Sequence, residues 1–483
     1  MRTLFSLVGW IFALAFLSVG LWDFEPGLSM DAPLYASIAR SLAQGQAESW
    51  FWLKSSIPEF QPYFAEHPHL GFWSMAAVFK IFPAADWSAR LPSHFFYVLS
   101  LALLYVWVSD LARSKRAGAL VVILFWAFPI LSNFFASAYL DPQAFFLGLF
   151  AVFALDRSTR PQSRFLLWAL LSGTLLAACA MTKGLTVLGF GPAMAYLIVS
   201  RIKEAPRRIF FSAFLCVLTA FMVTALYVGA VSQSDVPQFL PTYFDRQWSG
   251  RFALNSDWKL LGRLFYYKEL ARETHYLIVI VPVILLLKRR SLPYRDSWLL
   301  PLVLLTSFVL MYFPAARVGH QYWIMLLPWA AWIIAVGLDR LLPKMLSEKR
   351  LRYSTFAVSV VLAVLLQYLP FHRYKSRAPD LASEIATAAA REDRGLKRIR
   401  LVERVEKDAF IRTSLWAWYA GLPVSYVVWG EGLSRAEKLV PGDVLVLEQI
   451  RDESRAEIHK KASQQGWCLG GEKNESAYWT HCD

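Results

Sequence analysis

The sequence predicts an α-helical, polytopic membrane protein with about eleven transmembrane helices and a small α/β domain at its C-terminal end. Two observations indicate the membrane. The mean hydropathy is +0.38, and only 18% of the residues are charged, too few for a soluble surface. Several uncharged stretches approach the ~20 residues with which a helix crosses hydrocarbon. A third observation indicates the domain, because only the last ~110 residues have the composition of a soluble fold.

Hydropathy and charged flanks locate the individual spans. The predicted spans are residues 4–22, 91–110, 118–136, 142–155, 164–181, 185–200, 209–231, 274–287, 297–313, 321–338 and 354–370. The first span is interpreted as a retained helix because no small-residue cleavage site follows it. Residues 70–83 are too short to cross, so we expect this helix to lie in the membrane interface.

The basic residues are concentrated in alternate short loops. These loops are residues 113–117, 156–164, 201–208, 288–296 and 339–352, and their net charge equals the whole formal charge of +14. Such asymmetry is the positive-inside signal of a bacterial inner-membrane protein, and it argues against nucleic-acid binding. It predicts a cytoplasmic N-terminus, a transmembrane domain over 1–370 with a periplasmic loop at 23–89 containing interfacial helices, and a periplasmic domain over 371–483.

The C-terminal domain shows alternating patterns. Helix-like and strand-like segments follow one another, at residues 380–391, 399–402, 410–419, 424–428 and 444–448. This order predicts a small α/β fold. Cys468 and Cys482 are both in this domain, and the sequence leaves open whether they form a disulfide.

The polar residues that could take part in catalysis or binding lie at the predicted outer helix ends and in the predicted outer loops. They are Asp31, Glu66, His67, His69, Asp141, Lys183, His275, Arg317 and His320. The spans themselves contain essentially no ionisable residue away from their ends except His94, which counts against an ion-coupled transporter. A lipid or sugar transporter without chemistry would likewise need polar partners at mid-membrane. A C-terminal binding module with the helices as its anchor would not require so many spans.

Each candidate also has a structural interpretation. Asp31 and Asp141 each precede a proline closely, a pattern typical of helix N-termini, so both could serve as caps. Lys183 could extend its ammonium to the interface, with Gly184 forming the turn between two helices. Glu66 and His67 could ligate zinc, manganese or magnesium, although solvated loop histidines are commoner.

Five short segments, in order, resemble those of the C-type polytopic glycosyltransferases. They are DAPLYASIAR at 31–40, FAEHPHLGFW at 64–73, WSARLP at 87–92, YLDP at 139–142 and TKG at 182–184. The branch concerned contains bacterial protein O-mannosyltransferases and lipid A aminoarabinose transferases. After residue 184 the resemblance is limited to residues 317–328. It implies the C-type fold and inverting transfer of a sugar from a polyprenyl phosphate, such as undecaprenyl phosphate, outside the membrane.

The resemblance also implies roles for individual residues. Asp31 would be the general base for the acceptor hydroxyl. Asp141, also in the catalytic site, would shape the sugar or acceptor pocket or hold a cation. Cations stabilise a departing phosphate; the residues proposed for this are Lys183, Arg317, His67 and His320. The substrate pocket would include Tyr35, Arg90 and Tyr322. The family's acid after the first aspartate is replaced by alanine here. His67 replaces the lysine of the aminoarabinose branch, which leaves Glu66 and His67 as a candidate metal pair. We expect a monomer, with lipid A or another glycolipid favoured over protein as acceptor.

Overall fold

The structure is a computed structural model. It describes residues 9–15, 17, 28, 31–55, 63–161, 163–249, 295–312, 324–341, 347–368, five strands between 398 and 481, and six isolated residues of the C-terminal segment. Several residues singled out in the sequence lie outside this part, namely His275, Arg317, His320, Tyr322 and Cys482.

Thirteen helices and five strands can be bounded in the described residues. The helices are α1 (Ala32–Ala43), α2 (Leu70–Ile81), α3 (Asp86–Leu111), α4 (Lys115–Ala127), α5 (Pro129–Ala136), α6 (Asp141–Thr159), α7 (Phe165–Lys183), α8 (Gly191–Arg201), α9 (Pro206–Ser232), α10 (Phe239–Phe244), α11 (Arg295–Tyr312), α12 (Leu327–Leu341) and α13 (Glu348–Tyr368). A 3-10 helix (Gly184–Phe190) joins α7 to α8, and a π-helical turn (Asp245–Ser249) follows α10. The strands are β1 (Arg398–Glu403), β2 (Val424–Val428), β3 (Asp443–Leu447), β4 (Trp467–Lys473) and β5 (Ser476–His481).

The chain folds into two compact units, each built from separate stretches of the sequence. The first comprises residues 1–24, 65–71 and 90–371, and the second comprises residues 25–64, 72–89 and 372–483. The predicted domain boundary after residue 370 falls outside the described residues and stays a prediction.

Apolar helices form the first unit. Among the described residues, three helical stretches are long and apolar enough to cross a bilayer: Asp86–Leu111, Phe165–Arg201 and Pro206–Ser232. Aromatic side chains fill the core between the helices. Trp107 lies edge-on to Trp332 with ring centroids 5.1 Å apart, and Phe145 packs on Trp329 at 5.4 Å. Such pairs favour tilted and edge-to-face geometry, as observed here.

The helical stretch from 165 to 201 reverses direction at Gly184. Lys183 contacts Asp141 at the start of α6, whereas Arg201 contacts Asp156 near the end of the same helix. Gly184 has φ of +53°, a conformation that side chains disfavour. The sequence placed a turn between two spans at this glycine, and the structure agrees.

One predicted span is interrupted. The sequence predicted a single helix over 118–136, but α4 ends at Ala127, Phe128 is extended, and α5 begins at Pro129. Proline lacks the amide hydrogen that the helix needs, and it disfavours helical geometry in the residue before it. The break therefore follows from Pro129, a signal that the hydropathy pattern obscured.

The second unit contains a mixed five-stranded sheet. Its strand order is β2-β1-β3-β5-β4; β1 is parallel to β2 and β3, and β5 is antiparallel to β3 and β4. The three strands predicted from the sequence are β1, β2 and β3. The strands β4 and β5 were missed, since β4 contains two adjacent glycines and a register shift that disrupt the alternating pattern. Cys468, on β4, is disulfide-bonded, whereas Cys179 and Cys216 are free.

Candidate active site

The two ends of α6 differ in chemistry. At its C-terminal end the fully buried Asp156 accepts a hydrogen bond from Arg160 at 2.6 Å and forms an ion pair with Arg201 at 2.6 Å. Arg201 also pairs with Asp296 at 3.2 Å, and Arg208 of α9 donates to Ser163 Oγ at 2.6 Å. Three of the basic loops, at residues 156–164, 201–208 and 288–296, therefore meet at this end. We call Asp156, Arg160, Arg201, Asp296 and Arg208 the basic end.

At the opposite end of α6, Asp141 and Lys183 form a buried ion pair. Their side chains are 1% and 5% exposed, and Lys183 Nζ donates to Asp141 Oδ1. The other carboxylate oxygen, Oδ2, has no hydrogen-bond partner among the described residues. Lys183 therefore does not extend into an aqueous interface, and Asp141 pairs with a cation instead of capping α6. The structure therefore supports neither the interfacial interpretation of Lys183 nor the capping interpretation of Asp141, and their catalytic roles stay predictions.

The turn after Lys183 is closely packed. A Cβ on Gly184 would overlap the Tyr243 hydroxyl, so this tyrosine of α10 lies directly against the backbone beside the lysine. The Tyr243 ring is stacked on Phe239, with centroids 6.1 Å apart. Only glycine satisfies both the positive φ and this contact.

The segment before α2 adds histidines to the same end. His69 is fully buried, its Nδ1 lies 2.6 Å from the Tyr227 hydroxyl, and its ring is 4.4 Å from that of Phe239. His67 is also buried. A Cβ on Gly71 would be 2.6 Å from Leu140 Cδ2, so this segment packs against the residue before Asp141.

The polar residues thus gathered at one end of the first unit form what we call the polar end. Its members are His69, Asp141, Lys183, Tyr227 and Tyr243. The sequence pointed to the histidine, the aspartate and the lysine. It did not point to the two tyrosines, because a tyrosine near the end of an apolar helix is ordinary and carries no distinguishing signal.

In the second unit, Asp31 immediately precedes α1. Its side chain makes no capping hydrogen bond, and it accepts from the Tyr35 hydroxyl at 3.5 Å. The Tyr35 ring packs edge-on against Phe64 and Phe72, with centroids 6.4 and 5.7 Å away. The predicted base and the predicted pocket tyrosine are therefore neighbours, and the capping interpretation of Asp31 finds no support in the geometry.

The remaining candidates are less informative. Arg90 is buried, and its carbonyl oxygen lies 3.0 Å from His94 Nδ1, which donates to it in the matching tautomer. Glu66 and His67 are adjacent in a described loop, but two side chains are fewer than zinc sites normally use. Among the described residues, no group of three or more histidines, cysteines or acids could hold a metal. The metal hypothesis stays a prediction.

Comparison with known proteins supports the resemblance. Residues 66–227 match the family described as dolichyl-phosphate-mannose-protein mannosyltransferase. Comparison with curated proteins gives no match.

Solved structures share the fold over nearly the whole chain. ArnT from Cupriavidus metallidurans bound to undecaprenyl phosphate is 14% identical, with a TM-score of 0.73, and the match covers 98% of this chain and 97% of ArnT. Its apo form, also 14% identical, gives a TM-score of 0.71, with coverage of 99% and 98%. The archaeal oligosaccharyltransferase AglB from Archaeoglobus fulgidus, in complex with an inhibitory peptide and a dolichol-phosphate, is 12% identical with a TM-score of 0.53. That match covers 94% of this chain and 70% of AglB.

The family match and the shared fold confirm the resemblance seen in the sequence. The chain shares the C-type fold of these structures, and residues 66–227 match the mannosyltransferase family.

Proposed function

We propose that this protein moves a sugar, with inversion, from undecaprenyl phosphate or a related polyprenyl phosphate to an envelope glycolipid. It would act as a monomer at the periplasmic face of a bacterial inner membrane. One observation carries the proposal: a buried lysine and aspartate meet at the helix ends opposite the basic end. A lipid phosphate can reach such a site while its isoprenoid tail stays in the bilayer.

Lys183 would bind the phosphate of the donor. Negative charge grows on this phosphate as the sugar leaves, and a cation in a site with little water stabilises that charge strongly. Asp141 holds the ammonium group in position before the donor arrives. By resemblance, Arg317 would supply a second cation, with His67 and His320 nearby in the donor site.

Asp31 would supply the general base. Its carboxylate takes the proton from the acceptor hydroxyl while that oxygen attacks the anomeric carbon. The bond between this carbon and the phosphate oxygen breaks at the same time, and the polyprenyl phosphate leaves with the electron pair. A single displacement of this kind inverts the anomeric centre. The hydrogen bond from Tyr35 would orient the Asp31 carboxylate for the proton transfer.

Two observations support the periplasmic location, and a third supports the polyprenyl donor. The basic end has the charge that cytoplasmic loops carry, so the polar end would face the periplasm. The disulfide at Cys468 suits an oxidising compartment. The ArnT and AglB structures, which share this fold, contain polyprenyl carriers, undecaprenyl phosphate and dolichol-phosphate respectively.

Two classes of acceptor fit the proposed reaction. A glycolipid such as lipid A is already held beside a site at the membrane surface, which favours it. Protein is the second candidate, because the matched family is described as a protein mannosyltransferase. A transporter is less well supported, since the charged side chains of the described apolar helices lie near helix ends.

Mass spectrometry of envelope lipids and glycoproteins tests this function. Cells carrying wild-type protein should contain a species that is heavier by one sugar than in cells lacking the gene. Asp31→Asn should abolish this species at equal protein level. The matched control is Asp110→Asn, the same chemical change near the C-terminal end of α3 in the first unit, and it should keep the species. Absence of any sugar-dependent difference would overturn the proposed function, and a normal product level in Asp31→Asn would overturn the role of the base.

A further inference from the structure

Trp418 of the C-terminal segment contacts three helices within the second unit. Its indole Nε1 donates to Asp86 Oδ1 at 2.7 Å, at the start of α3. Its carbonyl oxygen accepts from Arg40 Nη1 at 2.7 Å, in the last turn of α1. Its ring is stacked on Phe79 of α2, with centroids 5.8 Å apart. Trp418 is only 3% exposed. This one residue therefore contacts all three helices from a buried position.

Arg40 makes this junction strong. Its guanidinium carbon lies 4.8 Å from the centre of the Trp418 ring, which adds a cation–π contact to the hydrogen bond. Burial lowers the pKa of Arg40 to about 10, so it stays charged at neutral pH. A cation–π contact is stronger when it is shielded from water, as it is here. The end of α1 is therefore firmly held by Trp418.

The same two helices meet again next to Asp31. Tyr35 of α1 bonds Asp31 and packs on Phe72 of α2. Phe72 and Phe79 are two helical turns apart and share one face of α2. The rings of α2 therefore contact Tyr35 at one end and Trp418 at the other, and every residue from 32 to 39 of α1 is buried.

We infer that Trp418 is a positioning residue for Asp31, and hence that the C-terminal segment takes part in sugar transfer by holding α1 and α2 in place. This inference rests on the proposed role of Asp31 as base. Trp418 acts on Asp31 indirectly. Helix α1 is about 18 Å long, Asp31 precedes its first turn, and Trp418 contacts Arg40 in its last turn. A shift of about 1 Å at a catalytic group can reduce a rate about 100-fold.

Amide hydrogen exchange and transfer rate, measured together on the full chain, test the inference. Trp418→Leu should speed exchange in α1 and leave β3 unchanged. It should lower the transfer rate in membranes at least tenfold, while the Kd for undecaprenyl phosphate changes less than twofold. Trp418→Phe keeps an aromatic ring for Phe79 and Arg40 but loses the hydrogen bond to Asp86, and it should restore the rate to within about threefold of wild type. A simple folding defect would lower carrier binding and rate together.

Trp479→Leu is the matched control. Trp479 is 1% exposed and lies on β5, so its loss should weaken the sheet without affecting exchange in α1. If Trp418→Leu does not fold, Phe79→Leu removes the stacked ring and should give the same pattern with a smaller effect. Unchanged exchange in α1, or a normal rate in the folded variants, would overturn the inference. Activity in Asp31→Asn would instead show that the proposed base is wrong.

Discussion

Lys183, the last residue of α7, forms a buried ion pair with Asp141, the first residue of α6. The two residues are 42 positions apart in the sequence, and their ion pair joins the start of α6 to the end of α7, which runs antiparallel to it. A buried pair contributes little net stability, but removing one partner leaves an uncompensated charge and costs about 3–5 kcal/mol. Stability and function can therefore be separated by changing one partner or both.

Lys183→Met should lower thermal stability markedly, and Asp141→Asn in the same chain should recover most of the loss because no lone charge remains. Binding of undecaprenyl phosphate should stay weak in the double variant, since the cation is absent. Thermal unfolding in detergent and carrier binding, measured on the same samples, check both statements. Arg201→Met, at the basic end, is the control: it should lose stability but keep carrier binding. Recovery of carrier binding in the double variant would contradict the phosphate role of Lys183.

Gly184→Ala should be strongly destabilising. An alanine would sit at a φ of +53° and overlap the Tyr243 hydroxyl, so both backbone and side chain must move. The adjacent lysine would move with them, and the transfer rate should fall more than tenfold. Gly191→Ala is the matched control, because a Cβ there meets nothing within 4 Å. Equal thermal midpoints for the two variants would show that Tyr243 does not constrain the turn.

Tyr227→Phe should reduce stability without altering the reaction. The change removes the hydroxyl that lies 2.6 Å from His69 Nδ1, leaving a buried ring nitrogen without this partner. Such losses cost about 1–3 kcal/mol. We expect a lower thermal midpoint with an unchanged kcat, because no reacting atom is assigned to Tyr227. A large drop in kcat at equal stability would instead indicate that this tyrosine contacts a substrate.

Local patterns were sufficient to predict several features. Hydropathy located α3, α9 and the helices on either side of Gly184, because a membrane span must be apolar along its whole length. Alternation located β1, β2 and β3. The loop charges predicted a basic end, and the structure joins Arg201, Asp156 and Asp296 there.

Other features depend on long-range packing that no local pattern records. Nothing near Lys183 in the sequence identifies Asp141 as its partner, and nothing near Trp418 indicates Arg40, which is 378 positions away. The sequence predicted a helix-like segment around Trp418 but gave it no role. Such pairs are visible only once the chain has folded.

The sidedness of the two ends can be measured by cysteine labelling. Gln233 is exposed and directly follows α9, and Tyr227 of the polar end lies near the end of the same helix. Arg113 is exposed in a basic loop. In intact spheroplasts, a membrane-impermeant maleimide should label Gln233→Cys and should label Arg113→Cys only after lysis. Cys179 and Cys216 are buried and should contribute little background. The opposite labelling pattern would place Lys183 in the cytosol and exclude transfer at the periplasmic face.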